Sequence, residues 1–93
     1  MTYAEFREAL TVFALTDRAT LREIKDRHRR LVKNHHPDRC GGETETIRRI
    51  NAAYRLLLDY CQQYRFCFDR EEFFEQNPEE RLREQFAPDS WRK

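Results

Sequence analysis

The sequence predicts an all-α domain: an antiparallel hairpin of two longer helices, with a short helix before it and one or two short helices after it. Apolar residues return every three or four positions through most of the chain, the spacing of a helix with one buried face. The only two glycines, Gly41 and Gly42, stand together just after Pro37, which places one loop between the two best helical stretches.

Each element can be justified in order. Between Thr2 and Leu15, the residues Phe6, Ala9, Leu10 and Phe13 share one face, giving a first helix of about ten residues. A second helix starts at Thr20, because Thr20 followed by Glu23 has the Thr-x-x-Glu form of a capping box. Leu21, Ile24, His28, Leu31 and Val32 form its apolar face up to about Asn34. Pro37 then disfavours the α conformation at His36 and ends it. From Glu43 to about Tyr64 the period resumes through Ile47, Ile50, Tyr54, Leu57, Leu58 and Cys61, the longest amphipathic stretch. Beyond it, Asp69 with Glu72, and Asn77 before Pro78, mark the starts of two short helices. Phe66, Phe68, Phe73, Phe74, Phe86 and Trp91 are many aromatics for a free tail. They imply an element docked on the long helix or, on a sharper reading, a partner surface with its rings left exposed.

Bulk composition narrows the function classes. A chain of 93 residues fits one small domain, and its limited core leaves little room for a large enclosed active site. Eighteen Lys and Arg against seventeen Asp and Glu give a formal charge of +1, so any electrostatic signal is local. Three cysteines, Cys40, Cys61 and Cys67, form no CxxC pair and fit reduced thiols better than a disulfide framework. With no apolar run of signal or membrane-span length, the expectation is a soluble cytoplasmic monomer that calls for no cofactor and no metal.

The local signal lies on the second helix. Arg22, Lys25, Arg29 and Lys33 follow at i, i+3, i+7 and i+11, so at about 100° per residue all four fall on one side. Arg27 and Arg30 broaden the strip, which leads into the turn His36-Pro37-Asp38-Arg39. As catalysis, His36 and Asp38 lack a nucleophile and a pocket. As metal ligands, His35, His36 and Cys40 match no closed site. As recognition, one carboxylate and one imidazole on a rigid turn beside a basic helix make a docking surface of two signs, and this reading uses every feature.

At these residues the sequence resembles the J domain of DnaJ-type co-chaperones. "EIKDRHRRLVKNHHPDR" is similar to that family's second helix with its His-Pro-Asp signature at His36, Pro37 and Asp38. "IRRINAAYRLL" is similar to its third helix through Ile47, Ile50, Asn51, Ala53, Tyr54 and Leu57. "ALTVFALTDRATLREI" looks like the first helix and its connector, so the likeness covers roughly residues 5 to 60. The resemblance implies a J domain over residues 1–64 and an aromatic, acidic extension over 65–93 that packs on it or prolongs it.

It also implies a function that is not enzymatic. The J domain docks on a DnaK-type chaperone of the heat-shock 70 class and stimulates that partner's ATP hydrolysis. Docking falls to Asp38, to His36 and Pro37 for loop shape, and to Arg22, Lys25, Arg29, Arg30, Lys33 and Arg39 for charge. The pattern departs from the family at Arg27, where a small residue is usual, and at His28 and His35, where aromatics are usual. Two alternatives are a J-like adaptor that binds without stimulating and a small helical nucleic-acid binder. The near-neutral charge and the acidic tail argue against nucleic acid as a partner. The extension is expected to address a client or complex, or to fold over the basic helix and compete with the chaperone.

Overall fold

A computed structural model describes residues 1–35 and 44–86. Among these it contains five helices and no strand: α1 (Tyr3–Val12), α2 (Leu21–Asn34), α3 (Glu45–Gln63), α4 (Arg70–Gln76) and α5 (Pro78–Phe86). The all-α class and the paired α2 and α3 are as the sequence predicts.

Side-chain caps set the helix starts. Thr20 and Glu23 form the expected capping box, with the Thr20 hydroxyl accepting from the Glu23 N–H and Glu23 accepting from the Thr20 N–H. The same device starts α1 at Thr2 and Glu5, and Thr44 caps α3 by accepting from the Ile47 N–H. Each side chain satisfies amide groups that have no partner in the first helical turn. In both boxes the glutamate carboxyl is held below its ordinary range, chiefly by the backbone N–H of the threonine and next by its hydroxyl.

α1 ends in a left-handed turn. Ala14 takes φ 53°, with Leu15 N–H donating to Leu10 O at 2.9 Å and Ala14 N–H donating to Thr11 O at 3.1 Å. Those two bonds form the Schellman pattern that lets a chain leave a helix sharply, and here it turns Phe13 inward. Phe13 is fully buried, and with Ala9, Ile24, Ile47, Ile50, Ala53 and Leu57 it makes the core.

Both α1 and α2 run antiparallel to α3. His28 meets Asn51 and Tyr54, while Leu31 and His35 lie near Thr46 and Ile50. Phe6 in turn meets Tyr60 at a tilt, with centroids 4.7 Å apart, and Val12 lies near Ile50. Three rings knit this bundle: His28 lies flat on Tyr54, centroids 3.8 Å apart and planes within 5°, and Phe13 is parallel to both at 6.4 and 6.2 Å.

The extension is organised differently. α4 and α5 pack on each other, and neither buries a residue. The guanidinium groups of Arg70 and Arg81 lie over the Phe74 ring, 5.0 and 5.7 Å from its centroid, and Arg70 is also paired with Glu84. Asp69 caps α4 as expected, and Pro78 takes the first position of α5. Asn77 works backwards, however: its side-chain amide donates to Phe73 O at 2.9 Å and so closes the end of α4. The molecule spans 65 × 28 × 19 Å with a radius of gyration of 19.1 Å, against about 12 Å for a compact chain of this length. The helices substantially packed together are α1 with α3, α2 with α3, and α4 with α5. Neither the docking of the extension on α3 nor its folding over basic α2 is among these pairings.

Candidate partner-docking site

The candidate site is the outer face of α2. Its burial pattern is one-sided: Ile24 is buried, Leu31 and His28 half-buried, whereas Arg22, Lys25, Arg29, Arg30 and Lys33 are all exposed. At 100° per residue the cations lie roughly opposite Ile24 and Leu31. The packing that fixes α2 on α3 therefore also fixes which way the charges face. Among the described residues, Asp26 is the acid paired with this row, through Arg29. Close like charges kept in water favour an anionic partner, which gains attraction and on-rate from the patch.

Arg27 does not belong to this strip. Its half-buried guanidinium donates through Nη1 to the Phe13 carbonyl at 2.6 Å, tying the end of α1 to α2. Sequence reasoning placed it with the basic strip because a backbone acceptor 14 residues away leaves no local signal. His28 likewise faces inward. Its Nε2 lies 3.0 Å from Asn51 Oδ1, and its ring keeps a flat stack on Tyr54. Both departures from the family pattern are thus absorbed inside the bundle and leave the outer face of α2 unchanged. His35, the third departure, is exposed at the end of α2, where its N–H donates to the Leu31 and Val32 carbonyls.

His36, Pro37, Asp38 and Arg39 lie outside the described residues, as do Cys40 and Trp91. What the structure fixes is the two ends between which they run. α2 delivers the chain at His35, and α3 takes it back at Thr44. The row from Arg22 to Lys33 runs along α2 toward its His35 end. Among the described residues, no group of three or more His, Cys, Asp or Glu is placed to hold a metal ion, and no helix is long and apolar enough to cross a membrane.

The structure is thus a small helical bundle that buries one side of α2 and presents the other as a row of exposed cations. Its family follows from comparison: the DnaJ domain family model matches residues 9–66, and the chain belongs to the DnaJ domain family. A DnaJ-like protein of Mycoplasma pneumoniae is 44% identical over 48 residues, covering 52% of this chain and 16% of that protein. The chaperone protein DnaJ of Finegoldia magna is 32% identical over 68 residues, covering 70% of this chain and 18% of its own length. That of Ureaplasma parvum is 39% identical over 54 residues, covering 57% and 14%. The chain thus matches less than a fifth of the length of each of these relatives. No solved structure matches it.

Proposed function

We propose that the chain is a J-domain co-chaperone that docks on a DnaK-type chaperone and stimulates its ATP hydrolysis, carrying out no chemistry itself. The observation that carries this reading is the orientation of α2, whose exposed cations are held outward by the packing of Ile24, His28 and Leu31 and lead toward His36-Pro37-Asp38. In this reading Arg22, Lys25, Arg29, Arg30, Lys33 and Arg39 meet an acidic surface of the chaperone, and Asp38 engages a positive group there. His36 and Pro37 shape the turn. We assign residues 1–64 to the J domain and 65–93 to a separate extension, and we place the protein in the cytoplasm as a monomer.

The inward placement of His28 favours the stimulating reading over a silent adaptor, since that substitution leaves the docking face intact. Single-turnover ATP hydrolysis by a DnaK-type chaperone tests it. The parent protein accelerates turnover, and Asp38→Asn, equally folded by circular dichroism, loses the acceleration, because removing one side of a desolvated charge pair costs about 2 to 5 kcal/mol. Lys33→Ala, at the rim, lowers mainly the association rate and its salt dependence. Equal acceleration by the parent and Asp38→Asn contradicts the assignment.

A further inference from the structure

The region between α3 and α4 has a feature that chaperone docking leaves unused. From Tyr64 to Phe68 the chain is non-helical, and its aromatics alternate with Arg65 and Cys67. Tyr64 and Phe66 are 5.7 Å apart between centroids and Phe66 and Phe68 6.5 Å, so the three rings follow one another along one side. The row continues onto α3 through Tyr60, 5.8 Å from Tyr64, and is anchored there by Phe6. Phe66 is 67% exposed and Phe68 92%. The peptide groups of residues 65–68 take no part in the backbone hydrogen bonds among the described residues, so they too are open to a partner.

The surroundings select the occupant by charge. Glu71, Glu72, Glu75, Glu79, Glu80 and Glu84 of α4 and α5 outnumber Arg70, Arg81 and Arg83. Arg70 is paired with Glu84, and Arg83 lies 3.5 Å from Glu80. An aromatic row with open peptide groups receives an extended segment, whose alternate side chains meet the rings while its backbone pairs with the row. An acidic neighbour selects a segment that carries cations.

We propose that the aromatic row from Tyr60 to Phe68, with the acidic hairpin beside it, is a docking surface for an extended, apolar and basic segment of another polypeptide. The inference rests on the separate extension assigned above and is independent of whether α2 engages a DnaK-type chaperone.

The test is fluorescence anisotropy on the 93-residue chain, with a labelled peptide of alternating leucine and arginine and a control of alternating leucine and glutamate. The leucine–arginine peptide binds and the glutamate control does not. Phe66→Ser/Phe68→Ser, which removes only exposed rings, weakens binding by about tenfold or more, as loss of aromatic anchors does. The same variant keeps chaperone stimulation, so failure of this surface is distinguishable from failure of the J-domain reading. Equal binding of both peptides, or no effect of the double variant, overturns the proposal. Concentration-dependent self-association that the double variant abolishes overturns it in favour of a second copy. Binding seen only when residues 87–93 are removed overturns it in favour of the chain's own end as occupant.

Discussion

The three-helix bundle and the α4–α5 extension are built from similar local signals but reach different states. Threonine caps start the three bundle helices and an aspartate cap starts α4, and both regions are rich in aromatic rings. In the bundle, Phe13, His28 and Tyr54 come from three separate parts of the chain and meet in one parallel set that includes the buried core through Phe13. In the extension, α4 and α5 are 7 and 9 residues long, and no side chain in either is buried. Caps and periodicity decide where helices form. Whether a helix acquires a core depends on contacts between distant residues, and the two short helices make few beyond each other. Helices that short are marginal alone in water, so the extension relies on the contacts of Arg70 and Arg81 with Phe74 and on the Arg70–Glu84 pair for its order.

The largest expected effect tests the bundle side of that contrast. Phe13→Ala empties a fully buried site where all three helices meet, and costs about 3 to 5 kcal/mol. Thermal unfolding should show α1, α2 and α3 lost together at a much lower midpoint. A shift of only a degree or two would mean that the bundle does not close around Phe13.

A middle-sized effect concerns the caps. Thr20→Ala removes the hydroxyl acceptor of α2 and costs about 1 kcal/mol. The partner carboxylate adds a pH signature: because Glu23 titrates below its ordinary range in the folded chain, its contribution is present at neutral pH and disappears as pH falls through that lowered value. Glu23→Gln therefore starts less stable than the parent, and the gap closes on acidification. Far-UV circular dichroism against pH measures this, and a gap that widens in acid would refute it.

The smallest effect on the bundle comes from the extension. Phe74→Ala removes the ring that Arg70 and Arg81 both contact, and helicity from α4 and α5 falls while the bundle's stability changes by no more than about 0.5 kcal/mol. Amide hydrogen exchange separates the two regions. If protection in α3 falls along with that in α4, the independence of the extension is wrong.

Much of this division was legible from residue order. The Thr20–Glu23 box, the Asp69 cap and Pro78 at a helix start are local signals and were read in place. The Thr2–Glu5 box carries the same Thr-x-x-Glu form and was available to the same reasoning. What sequence order does not carry is direction in three dimensions. Arg27 reads as one more cation until the Phe13 carbonyl arrives beside it, and Asn77 reads as a forward cap although its amide serves the helix behind it. His28 reads as a break in an aromatic position, yet imidazole supplies both a flat ring for Tyr54 and a nitrogen for Asn51. The row from Arg22 to Lys33 was legible as a strip from its spacing; its outward direction became clear only from the packing beneath it.

The central claim is that the outer face of α2 drives partner engagement. The most direct measurement is single-turnover ATP hydrolysis by a DnaK-type chaperone, with the parent protein and with Lys25→Glu/Arg29→Glu, at low and at high salt. The account predicts that the double reversal keeps its helical spectrum and loses stimulation at low salt, where the parent is most effective. Full stimulation by the reversed variant would contradict it.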